Sequence, residues 1–382
     1  MPFPHSFYSF LSSANMKRLA ILYLSFIGSL ALAAKKNLII DTDLFSDVDD
    51  AGALLLAATA PDVNLLAVNV NYPSSYSALA ASAILAHYGK PDVPIGIPRP
   101  LSNTTFFDSW YFTLGEYASK VAYHFSGGSL RWGHAEDAWD PVELYRKVLS
   151  EAEDNSVTIL SIGFLDNLSA LLNSPPDTHS PLPGRALTTL KLAELIIMGG
   201  GYPSGHNWNF WGSPSGPAAA AHVINTWGDD DNHHHHHHHN HNSSQRGPPV
   251  RMTFLGSDVG SHVRAGGRLV AEGPVADPVR MAYRWYGYEV PARAAWDPLA
   301  VVYADGRDGR DELEGADVGR GPRRKCAKNQ RFLRLAVANE TAAAEVDRLF
   351  LEEAWSAAGG DKKVQGDGVR GSAALQSGHE EL

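Results

Sequence analysis

Five aspartates, Asp41, Asp43, Asp47, Asp49 and Asp50, fall within ten residues of this chain. They lie between an apolar run that ends at Ile40 and an Ala/Leu-rich stretch that opens near Asp50. An apolar strand that turns through carboxylates into a helix is a unit of an α/β sheet, where ligands gather at the carboxyl ends of the strands. Five carboxylates at one strand end repel one another, and in a low-dielectric cleft they cannot all ionise unaided. A divalent cation resolves the conflict, and an oxygen-only donor set favours Ca²⁺ or Mg²⁺ over zinc or copper. Asp47 and Asp49 also suit the positive end of the following helix as caps, but capping accounts for one or two aspartates, not five.

The same alternation continues along the chain. Candidate strands at Asn37–Ile40, Leu65–Val70, Val93–Ile97, Val157–Leu160, Leu195–Met198 and Met252–Gly256 are separated by Ala-rich or amphipathic stretches near 50–60, 75–89, 141–152, 166–173 and 217–227. Continuous apolar strands between helices predict an α/β fold with an open, mostly parallel central sheet covered by helices on both faces. A formal charge of −10 argues against a general nucleic-acid binder. The single cysteine, Cys326, excludes intrachain disulfides and Cys-rich zinc sites.

Segments outside that pattern have their own reading. Residues 16–34, MKRLAILYLSFIGSLALAA, carry a basic start, an apolar run and a small-x-small end, the pattern of a secretory signal. Residues 1–15 then read as an upstream extension, and 35–358 as the folded domain of a secreted, extracellular protein. The run is short for a span, so no stable membrane association is expected. Triplets at Asn103, Asn242 and Asn339 fit glycosylation, whereas the one at Asn167 is expected to be buried and unused. The His-rich tract in 229–246 reads as a low-complexity surface insertion, 305–327 as a solvated loop, and 359–382 as a disordered tail.

The pattern Asp41-Thr-Asp43, a spacer, then Asp49-Asp50-Ala51 resembles the signature of the nucleoside hydrolases, which cleave the N-glycosidic bond of ribonucleosides. The spacer Leu44–Val48 has five residues, longer than usual. The likeness continues in SIGFLDNLSALL (161–172), similar to a strand-loop-helix with Leu-Thr-Asn, and in LIIMGGGYPSGHNWN (195–209), similar to a Met-Gly-Gly segment followed by Glu-Phe-Asn. Met252–Val259 is similar to a later strand, and AWDPLA (295–300) resembles the distal aspartate motif.

The resemblance implies an open Rossmann-like fold and one Ca²⁺ held by Asp43, Asp50, Asp297 and the backbone carbonyl of Asp166, which stands at the family's threonine position. Asp43 would act as the general base, Asp49 would bind a ribose hydroxyl, and Asp41 would support the loop. Asp47 stays open between a helix cap and a sugar contact. Asn209 matches an asparagine that holds the ribose, and Asn207 stands where the family has a glutamate. Ser213-Pro214 replaces an Asp-Pro. Asn71 or Ser74 is expected at the ribose, and Met198 either lines the sugar pocket or simply ends a strand. Trp296 resembles a tryptophan that stacks on the base in purine-preferring members, which leans the expected substrate towards purine nucleosides. The expected partner is a small ribonucleoside, with no nucleic acid; homo-oligomerisation stays open. Two other readings compete: a Ca²⁺-dependent nucleoside binder weakened by Asn207, and a haloacid-dehalogenase-type phosphatase, which also carries Asp-x-Asp but not the later Trp-Asp-Pro.

Overall fold

A computed structural model describes residues 35–45, 47–105, 116–202, 205–227, 250–287, 292–306, 313–316 and 329–359. The signal segment, the His-rich tract and all of the tail beyond Gly359 lie outside the described residues. The fold belongs to the unit that begins at Lys36.

Eight strands form one sheet: β1 (Lys36–Thr42), β2 (Val63–Val70), β3 (Ile95–Gly96), β4 (Val157–Ser161), β5 (Leu192–Met198), β6 (Arg251–Leu255), β9 (Leu313–Ala316) and β10 (Gln330–Leu335). Their order is β3-β2-β1-β4-β5-β6-β10-β9, with β9 alone antiparallel. A separate antiparallel ribbon pairs β7 (Arg264–Ala265) with β8 (Arg293–Ala294).

The pattern of β1 explains its central place. Leu38 and Ile40 point into one apolar cluster, and Ile39 points into the other on the opposite face. Such a strand is buried on both sides, which a parallel sheet between two helical layers requires. The chain leaves β1 for a helix on one side (α1, Asp49–Thr59), and β2 follows as its sheet neighbour. On the other side β1 pairs with β4, with Ile40 opposite Leu160. Strand order therefore reverses between β1 and β4. The helices that follow those two strands pack on opposite faces of the sheet, and such a switch point, at the carboxyl ends of the strands, is where α/β sheets take ligands.

All six predicted strands lie in the sheet, though only Ile95–Gly96 of Val93–Ile97 pairs as strand. The predicted helices recur within a few residues at Asp49–Thr59, Ser75–His87, Pro141–Glu151, Asp166–Asn173 and Gly216–Trp227. Two strands are additions. β10 joins β6 in parallel, and β9, inside the stretch read as a solvated loop (305–327), is an antiparallel edge strand on β10. That reading is corrected: an edge strand is held by backbone bonds along one side, which leave little trace in an Arg/Gly/Asp-rich sequence. Among the described residues, no helix is long and apolar enough to cross a membrane.

Candidate active site

Asp41 sits within β1 and has no solvent access. Its carboxylate accepts the Tyr145 hydroxyl at 2.7 Å and the Asn167 amide at 3.2 Å, and also the amide of Asn71. Burial raises its pKa to about 7, with those three donors pulling the other way. The expected support of the loop by Asp41 is what these bonds describe.

Beyond Thr42 the chain turns through Asp43 into α1, whose first two residues are Asp49 and Asp50. A second helix, α3 (Trp296–Asp305, with α2 at Asp166–Asn173 between them in the chain), carries Asp297 in its first turn. The two acidic helix starts meet: Asp49 Oδ2 accepts the Asp297 backbone N–H at 3.2 Å, and the Thr42 hydroxyl donates to Asp50. One carboxylate oxygen from each of Asp49, Asp50 and Asp297 lies within 4.8 Å of the others, and all three residues are buried. Helix N-termini offer partial positive charge to these groups. It does not suffice. Burial first, and then the charge of a neighbouring aspartate (Asp47 on Asp49, Asp43 on Asp50, Asp49 on Asp297), push all three carboxyls well above the ordinary range. Three buried oxygen donors brought together with that much unrelieved charge fit a hard divalent cation.

The grouping departs from the expected one in one respect. Asp49, assigned to the ribose, stands in the three-carboxylate group, while Asp43, assigned as a ligand, lies beside it. Asp43 is buried and raised to about 7, by burial and then by the neighbouring Asp47 charge. Asp49 and Asp50 are consecutive at a helix start, so the backbone delivers both to the same end of α1; spacing alone did not reveal that Asp297 would bond to the first of them.

Asp47 is neither a cap nor a free carboxylate. Val48 occupies the cap position, and Asp47 Oδ1 accepts its N–H at 2.7 Å. Arg293, from β8, grips the same carboxylate with a two-pronged contact: Nε to Oδ1 at 2.8 Å and Nη2 to Oδ2 at 2.5 Å. The Tyr117 hydroxyl donates to the Asp47 carbonyl at 2.5 Å. The guanidinium carbon lies 5.2 Å from the Trp296 ring centroid and 5.8 Å from that of Tyr286, and its charge draws Asp49 down against the effect of burial.

The loops after β2, β4, β5 and β6 close the crevice. A Cβ on Gly163, after β4, would collide with the Asn71 side chain and the Asp43 backbone, so only glycine lets the β1 and β4 loops approach this closely. Asn71, expected at the ribose, bridges them: its amide donates to Asp41 and its carbonyl accepts the Phe164 N–H at 2.8 Å. Ser74 caps the helix Ser75–His87, accepting from Tyr76 N at 3.3 Å. Asn167 is buried, with its amide on Asp41 and on the Val70 carbonyl, as expected for a triplet that carries no glycan. Asp166 starts α2, and its carboxylate accepts the hydroxyls of Ser213 (2.6 Å) and Ser215. Only its carbonyl is left for the role expected of it.

Asn207 caps the short helix Trp208–Trp211 through Oδ1 and donates to Ser257 Oγ at 2.8 Å. The Asn209 amide ties two strand ends together, at 3.1 Å from the Ile162 carbonyl and 3.0 Å from that of Met198. Both asparagines thus shape the site through internal bonds. Met198 is buried at the end of β5, its sulfur 3.4 Å from the same amide. Trp296 is half-buried and donates Nε1–H to the Ser257 carbonyl at 2.8 Å. Arg293, Tyr145 and Tyr117 went unnoticed in the sequence, for none belongs to a motif, and Ser257, inside the Met252–Val259 segment, was given no role. The proximity of Arg293 to Trp296 along the chain was the one signal available.

The family profile described as "Inosine-uridine preferring nucleoside hydrolase" matches residues 38–341. The chain belongs to this nucleoside hydrolase family. The pyrimidine-specific ribonucleoside hydrolase RihA of Escherichia coli O127:H6 is 30% identical over 172 residues, 42% of this chain and 47% of its own length. The chain thus spans about half the length of the curated relatives it matches. Two solved nucleoside hydrolases share the fold. An inosine-guanosine nucleoside hydrolase has a TM-score of 0.56 at 18% identity, covering 83% of this chain and 98% of that one. The inosine-uridine preferring enzyme of Bacillus anthracis has 0.53 at 15%, covering 83% and 99%. In this nucleoside hydrolase family member, the profile spans both Asp41–Asp50 and Asp297, the two segments that meet at the crevice.

Proposed function

We propose that this protein hydrolyses the N-glycosidic bond of ribonucleosides, releasing ribose and free base, in a Ca²⁺-dependent reaction. The observation that supports it is the meeting of Asp49, Asp50 and Asp297 at the switch point of the sheet. Asp43, Asp50 and Asp297 would hold the cation with the Asp166 carbonyl, and Asp49, in the same buried group, would bind a ribose hydroxyl. When bound, Ca²⁺ supplies a Lewis-acidic centre that acidifies water and takes ribose hydroxyls as ligands. Asp43 accepts the proton of the attacking water, as a buried carboxylate beside the cation's ligands is placed to do. The sugar passes through an oxocarbenium-like transition state, and the surrounding carboxylates stabilise its positive charge. Asp41, Asn71 and Asn209 keep the loops in place.

Base preference is proposed to lean towards purines, on the half-buried ring of Trp296. We further propose that 16–34 directs secretion and is removed, leaving 35–358 as the active domain; the terminal residue of the secreted protein tests this.

A panel of the common ribonucleosides, assayed with and without chelator, tests the activity. Free base and ribose that vanish on chelation support it. Phosphate release from a phosphomonoester would favour the phosphatase, and binding without turnover the nucleoside binder. Metal analysis should find about one Ca²⁺ per chain.

A further inference from the structure

The geometry points to Arg293 as a catalytic residue that stabilises the negative charge developing on the departing base. This rests on the hydrolase reading above.

The crevice is built from carboxylates. They suit a sugar that becomes cationic, but they oppose the departure of a base that carries away the electron pair of the broken bond. A fixed positive charge on the base side relieves that opposition, and in a partly buried site it acts more strongly than in water. Arg293 has the required attributes. It stands on β8 just before Trp296 and Asp297, so it arrives with the aromatic ring and the distal carboxylate on one short segment. Asp47 engages Nε and Nη2 and fixes the plane of the guanidinium. Among the described residues, Nη1 carries no hydrogen bond, and the side chain keeps 24% of its exposure. A planar cation that keeps its protons is therefore held against Trp296 with one N–H edge free.

In the step this implies, the water oxygen bonds to C1′ as the C1′–N bond breaks. The electron pair of that bond stays on the base nitrogen, and the water proton passes to Asp43. The base leaves as an anion paired with the guanidinium, which gives up no proton, and takes a proton from solvent after departure. Asp47 is the positioning residue that aims the charge.

The test uses Arg293→Gln and the double variant Asp47→Asn/Arg293→Gln, in which no carboxylate is left without its partner. Each is assayed on inosine, on uridine and on p-nitrophenyl β-D-ribofuranoside, whose nitrophenolate departs without help. The expected result is a fall in kcat/KM of about 10- to 100-fold on both nucleosides in both variants. On the nitrophenyl riboside the fall should be less than about threefold. Equal losses on all three substrates would reduce Arg293 to a structural tie, and unchanged nucleoside rates would remove it from the reaction; either overturns the proposal. If the unaltered protein turned over none of the three, the hydrolase reading would fall first and the role of Arg293 with it.

Discussion

Asp43 and the asparagines divide the labour at single positions. Asn71, Asn207 and Asn209 each have a carboxamide group engaged by neighbouring loops, whereas Asp43 is a buried carboxyl whose raised pKa follows from burial and the charge of Asp47. Asp43→Asn should therefore keep the fold and lower turnover by roughly 10²- to 10⁴-fold, the usual worth of a general base. Circular dichroism alongside steady-state rates checks both halves, and turnover like that of the unaltered protein would refute the role. A second residue-scale prediction concerns Asp166 and Ser213, which stand where the family pattern carries threonine and aspartate. Here the Ser213 hydroxyl donates to the Asp166 carboxylate at 2.6 Å, a bond that a threonine and an aspartate with their places exchanged can also make. Asp166→Thr and Ser213→Asp should each cost about 1–2 kcal/mol of stability, and the pair together should regain most of it. Denaturant melts of the four proteins give the coupling; simple additivity would refute it.

At the scale of elements, the cation site is a meeting of helix starts above a strand end. α1 brings Asp49 and Asp50, α3 brings Asp297, and β1 supplies Asp41 and Thr42 beneath them. The approach of the β4 loop to the β1 loop depends on Gly163, with Asn71 wedged between. Gly163→Ala inserts a methyl where the Asp43 backbone and Asn71 already stand. The expected cost is about 1–3 kcal/mol, typical of overpacking, together with weaker Ca²⁺ binding because the displaced loop carries Asp43. Thermal unfolding and calorimetric titration measure the two effects, and a variant that melted and bound calcium normally would show that the loops have room to spare.

For the whole molecule, the buried carboxyls couple stability to pH and to the cation. Asp41 and Asp43 rise from 3.8 to about 7 on folding without a cation, so the folded state holds these protons more tightly than the unfolded chain. Their contribution is fully present below about 3.8 and is lost as pH climbs through about 7. Chelated protein should accordingly lose thermal stability across that window. A divalent cation favours the ionised forms, so the stabilisation by added calcium should grow from about pH 5 to about pH 8. Melting curves in chelator and in calcium across this range test both slopes, and a calcium effect that shrank with rising pH would sink the idea of a carboxylate-held cation.

The sequence by itself determined the sheet and the chemistry at its edge. A continuous apolar run along β1, apolar strands alternating with Ala/Leu helices and five aspartates after Ile40 are local facts, and each has one economical physical outcome. What lies far apart in the chain was decided only by the tertiary structure. Arg293 reaches Asp47 across 246 positions with no spacing to read, and although the resemblance brought Asp297 to the first cluster, its bond to Asp49 across 248 positions was not legible. Likewise β9 and β10 extend one edge of the sheet through backbone bonds that carry little side-chain signature. Which aspartates share an ion, and which asparagines turn inward to brace the loops, depends on the direction each side chain takes once two helix starts and five strand ends are packed together, and direction is a property of the folded chain.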